Sequence, residues 1–169
     1  SSLEVIGVHR DGGFEEFVAV PAANVHHLPE HIGLDAAALV EPYTIAANVL
    51  DRMQPHPGDR LMILGAGVIG LTILQMALAK GIEEVIVTDV INERLVAAKQ
   101  LGATQVFNSR EQDVEKEVLA LTQGEGVPLI ADAACVPALL PQMLRLASPA
   151  GRIGLLGFSA QPSELVQLE

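Results

Sequence analysis

Hydrophobic residues in the later two-thirds of the chain gather in short runs, Leu61–Leu64, Val85–Val87, Leu129–Ala131 and Arg152–Leu156, with a weaker run over Ala103–Phe107. Runs of this length bounded by turn residues predict strands buried on both faces. Between them the apolar positions recur at helical spacing. Leu71–Lys80 follows the first run. Asn92 is placed to cap a helix carrying Leu95, Val96 and Leu101, with Gly102 beyond its end. Ser109 and Gln112 have capping-box spacing before Val114, Val118 and Leu121, and Gly124 and Gly126 close that helix. A fourth helix is predicted near Ala138–Leu146. Strands and helices that alternate in this way predict an α/β fold, a doubly wound parallel sheet with about five of its usual six strands present.

The pattern before Leu61 differs. Val5–Val8 leads into the turn cluster Arg10-Asp11-Gly12-Gly13, and Phe14–Val20 alternates in part before Pro21, which predicts a hairpin or two antiparallel strands. Asn24–Leu28 reads as another short extended piece. Leu34–Glu41 begins helically and is expected to break at Pro42, because the residue before proline resists helix geometry; the helix then resumes from Tyr43 to Arg52. The expected division is a β-rich segment over 1–42 and a nucleotide-binding domain over 43–169.

The first strand runs directly into Gly65-Ala66-Gly67-Val68-Ile69-Gly70. In this spacing the first glycine permits a tight turn, the second lets backbone approach a pyrophosphate, and the third lets helix pack on strand. The helix start offers free N–H groups to phosphate. Asp89 ends the second strand 19 positions beyond Gly70, close to the roughly 20 expected of the carboxylate that binds an adenosine ribose. Two blander readings stand beside this Rossmann unit. Asp89 could cap a loop while the glycines only turn the chain, or Leu61–Ala79 could cross a membrane. Three glycines in six positions and the lack of basic anchors argue against the second.

Composition narrows the partners. A formal net charge of −11 repels nucleic acid and anionic membranes, and no basic cluster offsets it locally. Aromatic residues make up 3% and tryptophan is absent, so the core is expected to be built from Val, Ile, Leu and Ala. The single cysteine, Cys135, forbids an internal disulfide and suits a reducing cytoplasm. His26, His27 and His31 have no acidic or thiol partner at metal-binding spacing and are read as surface or structural residues. Glu41, beside the proline break, is a candidate site residue whose alternative is a solvated helix-end carboxylate.

Gly12-Gly13-Phe14-Glu15-Glu16-Phe17, Ala37-Ala38-Leu39-Val40-Glu41-Pro42, the glycine turn and Asp89-x-x-x-x-Arg94-Leu95 together resemble the zinc-type medium-chain dehydrogenase/reductase family, in its polyol, sugar-acid and threonine dehydrogenase branch. The resemblance covers essentially the whole chain. It implies hydride transfer between a secondary alcohol and NAD, with zinc polarising the substrate oxygen, and makes 1–42 the end of a GroES-like catalytic domain. The turn residues Gly65, Gly67, Val68 and Gly70 would then hold pyrophosphate, Asp89 the adenosine ribose hydroxyls, and Arg94 the adenine-ribose end. Ile69 would press on the nicotinamide, with Leu156, Gly157 and Phe158 along its other side. Glu41 would contribute to the catalytic zinc, directly or through water, and Thr44 would sit near the nicotinamide.

Other zinc ligands of that family, an upstream cysteine with a His-Glu pair and a four-cysteine cluster, are not in this sequence. The expectation is therefore a piece of a longer enzyme, ending before the sixth strand, that keeps a partial NAD site and has no turnover of its own. Full-length relatives are expected to be dimers or tetramers. The competing expectation is a non-catalytic NAD(H)-binding sensor. A flavin or S-adenosylmethionine enzyme is weaker, since neither explains the Glu41-Pro42 element.

Overall fold

The computed structural model describes residues 4–157 of the chain, which divides into two compact units, Ser1–Ala38 and Leu39–Glu169. In the first unit, a single turn of helix, α1 (Leu34–Ala37), follows a short 3-10 turn over Ala22–Asn24. The expected hairpin is not formed: an isolated bridge between Ile6 and Arg10 is the only pairing among the described residues there. Phe14 and Phe17 are fully or largely exposed. A two-stranded ribbon is marginal without further strands or a helix to cover it; the described residues of this unit form no strand, and α1 is a single turn with no buried residue.

The second unit runs α2 (Val40–Met53), β1 (Arg60–Leu64), α3 (Val68–Ala79), β2 (Glu84–Asp89), α4 (Asn92–Gln100), β3 (Gln105–Asn108), α5 (Val114–Leu121), β4 (Val127–Asp132), α6 (Leu140–Leu146) and β5 (Ala147–Leu155). The five strands pair in the order β3-β2-β1-β4-β5, all parallel. This is the doubly wound sheet expected from the sequence. β1 lies at its centre, with Ile63 opposite Val87 on one side and Ala131 on the other.

Alternation along each strand sends neighbouring side chains to opposite faces. Leu61, Ile63, Val85, Val87, Leu129 and Ala131 join α2 and α3 in one core, and Met62, Leu64, Ile86 and Ile130 join α5 and α6 in the other. The helices bury matching stripes, Ala46, Val49, Leu50 and Met53 on α2 and Gly70, Ile73, Leu74 and Ala77 on α3. Each stripe has i, i+3, i+4, i+7 spacing, which places its members on one face.

Several boundaries move from their expected places. The chain breaks at Ala38–Leu39 rather than at Pro42, and α2 takes in Glu41, Pro42 and Tyr43. Proline is tolerated there because N–H groups of a first helical turn have no intrahelical partner. Asn92 is the first residue of α4 and its cap is Ile91; the Asn92 side chain instead bonds Asn108 and Glu111. α5 is capped by Asp113, which accepts the Lys116 N–H at 3.2 Å, and Gln112 bonds back to the Asn108 N–H. β5 begins five residues earlier than expected, through a register shift between Val127 and Leu129 of its partner. Leu61–Ala79 is strand, turn and helix, and among the described residues no helix is long and apolar enough to cross a membrane.

Leu50 is 0% exposed between α3 and the sheet. Leu50→Ala is expected to lower the unfolding free energy by about 2–5 kcal/mol, read as a fall in the urea midpoint with an unchanged slope.

Candidate nucleotide-binding site

In a parallel open sheet the ligand crevice lies beyond the carboxyl ends of the strands, where the winding direction reverses. Here that point falls between β1, which leads to α3 on one face, and β4, which leads to α6 on the other. A cleft of about 360 Å³ opens there, lined by Gly65, Gly67, Asp89, Arg94, Ser109 and Ala134 among others.

The glycine turn is built for close approach. Gly65 has φ +95°, and a Cβ there would meet the Ala133 and Ala134 backbone at 3.0 Å. At Gly70 a Cβ would lie 1.8 Å from the Gly65 carbonyl oxygen. Side chains are excluded at both. Gly67 is different: its φ is −75° and a Cβ would meet nothing within 4 Å. The open space beside it belongs to the cleft. No side chain caps α3, so the N–H groups of its first turn are left for another acceptor.

Asp89 is 8% exposed, and much of its carboxylate is already engaged. One oxygen accepts the Ala66 N–H at 2.7 Å; the other accepts from Val90 at 2.7 Å and Ile91 at 3.0 Å. Arg94 Nη1 stands 3.7 Å from the oxygen that holds Ala66. A carboxylate offers about four acceptor directions, so three amides leave part of that capacity for a ligand in the cleft. Asp89 thus braces the glycine turn as well as facing the cleft.

Four of the residues singled out in the sequence therefore share one cleft: Gly65, Gly67, Asp89 and Arg94. Val68 and Gly70 lie in the first turn of α3, Val68 exposed and Gly70 buried. Ile69 packs against the core, as does Leu156. Gly157 lies against Cys135, whose sulfur a Cβ there would meet at 1.8 Å. Phe158 is outside the described residues. Glu41 and Thr44 are exposed in the first turn of α2, and the Thr44 hydroxyl donates to the Glu41 carbonyl at 2.7 Å. Neither lines the cleft.

Some features had not been singled out. Ser109, Val136 and Leu139 line the cleft from just beyond β3 and β4; the crevice rule for parallel sheets points to those positions once the strand ends are known. Asp132, buried at the end of β4, accepts from the Ala134 and Cys135 N–H groups at 3.1 and 2.9 Å. It does for the β4 loop what Asp89 does for β2. Partial burial, and then the Asp132 charge, raise the Cys135 thiol above its ordinary value.

Zinc has a poorer fit than a nucleotide. Among the described residues no three His, Cys, Asp or Glu side chains gather as metal ligands, and His26, His27 and His31 are exposed. Glu41 offers one carboxylate where a zinc site takes three or four protein ligands.

A parallel sheet with a glycine turn, an uncapped helix start and an acidic residue at the end of the second strand defines a dinucleotide-binding type of domain. The comparisons specify the family. Residues 68–169 match the zinc-binding dehydrogenase family. Over 99% of its length the chain is 45% identical to the starvation-sensing protein RspB of Escherichia coli K12 and covers 49% of it. It is 39% identical to the L-threonine 3-dehydrogenase of Pyrococcus furiosus over 92% of the chain and 44% of that protein. A solved structure of rspB from E. coli CFT073, complexed with NADH, superposes with a TM-score of 0.90 at 46% identity, covering 96% of this chain and 48% of that one. The chain belongs to the zinc-binding dehydrogenase family, in agreement with the sequence motifs. It spans about half the length of the relatives it matches.

Gly70→Ala is expected to destabilise the fold by the upper end of about 1–3 kcal/mol, whereas Gly67→Ala should stay within about 0.5 kcal/mol of the parent; thermal unfolding of the two variants checks the contrast. Asp89→Asn must turn an amide NH2 toward a backbone N–H, and urea unfolding should show a loss of about 1–3 kcal/mol with no ligand present.

Proposed function

We propose that this chain forms the NAD-binding part, and the end of the catalytic part, of an NAD-dependent oxidoreductase that oxidises a secondary alcohol of the polyol, sugar-acid or hydroxy amino acid kind. The observation that carries this reading is the single cleft lined by Gly65, by Asp89 and by Gly67, whose open side lies at the uncapped start of α3. The division near Pro42, the oxidised substrate and a dimeric or tetrameric whole protein belong to the same proposal. Its similarity to a threonine dehydrogenase, and to an rspB structure holding NADH, supports it.

The residues present fit the dinucleotide. Backbone amides at the start of α3 would take the pyrophosphate, aided by the positive end of the helix dipole rather than by side-chain cations. That explains how a chain of net charge −11 binds an anion. The remaining acceptor capacity of Asp89 would take the adenosine ribose hydroxyls, with Arg94 at the adenine end. Negative charge at that place opposes a ribose 2′-phosphate. Val68 and Gly70 shape the turn, while Ile69, Leu156, Gly157 and Phe158 would border the nicotinamide. NAD, when bound, supplies the hydride acceptor.

Glu41 is the residue of this chain proposed to reach the zinc of the whole enzyme, with Thr44 close to the nicotinamide. The described residues do not complete a metal site, so the 169-residue chain alone should neither retain zinc nor oxidise alcohols. Sensing of NAD(H) without catalysis is the second reading. It would be favoured if the longer protein also bound NAD yet oxidised no alcohol.

Calorimetric titration tests the cofactor site on which both readings rest. The chain should bind NAD saturably and more tightly than NADP by about tenfold or more, the scale of a ~1.4 kcal/mol charge penalty. Gly67→Val should abolish binding, and zinc should give no stoichiometric uptake. Equal affinity for NADP would remove Asp89 from its proposed role, and no binding of either nucleotide would remove the cofactor assignment.

A further inference from the structure

The first turn of α2 and the start of α3 are the two places where the proposed chemistry meets, Glu41 and Thr44 on one and the phosphate turn on the other. A side-chain bond joins the two helices close to both. The Tyr43 hydroxyl donates to Gln75 Oε1. One turn earlier on α3, the buried Thr72 hydroxyl donates to the Ile69 carbonyl at 2.9 Å and lies 3.5 Å from the Pro42 carbonyl, which is a weaker second approach. Both partners of the main bond are half-buried, so water competes for it less than at the open surface.

This arrangement has consequences that packing alone does not. The stripes that α2 and α3 bury are apolar and face the shared core, and apolar contact resists separation but is non-directional. The Tyr43–Gln75 bond is directional. It sits two residues from Glu41 and one from Thr44, and Gln75 lies less than two turns beyond the residues that border the phosphate turn. A small rotation or slide of α3 on binding a pyrophosphate would pass through it to the Glu41 turn.

We infer that Gln75 is a positioning residue that acts through Tyr43, so that filling the phosphate turn orders the α2 turn carrying Glu41 and Thr44. The inference rests on the nucleotide reading of the cleft. It assigns a role to a polar pair outside the cleft lining.

The test uses ADP-ribose, which carries the adenosine and pyrophosphate but has no nicotinamide to touch α2 directly. Hydrogen exchange of the 169-residue chain is followed with and without it, alongside calorimetry. In the parent, ADP-ribose should slow exchange both at residues 68–70 and at residues 43–46, the latter by about tenfold, within the usual span of coupling between sites. In Gln75→Leu, and in Tyr43→Phe, which keeps the ring, the ligand should bind with affinity within about threefold of the parent and still protect 68–70. Protection at 43–46 should disappear. Gln75→Glu keeps an acceptor oxygen and should restore it.

Undiminished protection of 43–46 in Gln75→Leu and Tyr43→Phe would overturn the inference, and so would a parent in which ADP-ribose protects only 68–70. In both cases the nucleotide site would stand. A parent that binds neither ADP-ribose nor NAD overturns the site and the coupling together, and that result is distinct from the other two.

Discussion

The Asp89 carboxylate, taking the Ala66 N–H at 2.7 Å while its other oxygen holds Val90 and Ile91, ties the end of β2 to the turn that leaves β1. Much of the site depends on that tie. Gly65 sits at positive φ against the β4 loop, and the start of α3 lies so close to Gly65 that no side chain fits at Gly70. A backbone drawn this tight requires its N–H groups to be matched, because a buried unpaired amide costs about as much as a lost hydrogen bond. Asp89 meets part of that need from one side and leaves the α3 amides free on the other. The geometry that would serve a pyrophosphate is therefore maintained without one.

Asp132 repeats the device at β4, where its oxygen holds the Ala134 and Cys135 amides. Two acids, at the carboxyl ends of the strands on either side of β1, shape the two loops that flank the crevice. Both lie where side chains are almost wholly buried, and both take their hydrogen bonds from main-chain donors, with Arg94 a further cation 3.7 Å from Asp89. Burial of a carboxylate is tolerated on those terms, since hydrogen bonding to the charged form offsets lost solvation. The outer helices then need only apolar stripes to pack. α2, although it precedes the sheet in the chain, shares the core of α3 and so carries Glu41 and Thr44 on the same body as the glycine turn.

The strands and their doubly wound parallel arrangement were legible in the sequence because parallel strands buried on both sides must be short, continuous and aliphatic. The helix starts were harder to read. Asn92 and Ser109 have the residue type of a cap, yet Asn92 is drawn to Asn108 and Glu111, and the turn after β3 delays α5 until Asp113. Pro42 reads as a helix break on local geometry, but it falls in a first turn, where its missing N–H has no helical acceptor to lose. The hairpin signal over residues 5–20 describes alternation, and alternation forms strands only when neighbouring strands exist to pair with.

By itself the sequence determined the alternating α/β order, the glycine turn, the acid at the end of the second strand and, through their joint spacing, the family. Those properties are local, set by periodicity and by residues close in the chain. Tertiary structure alone decided that one Asp89 oxygen is spent on the Ala66 amide of the turn, that Ser109, Val136 and Leu139 complete the cleft, and that Tyr43 meets Gln75 across 32 positions. Each of these joins segments brought together only when the sheet forms. No pattern along the chain specifies which hydrogen-bond partner a polar side chain will find there.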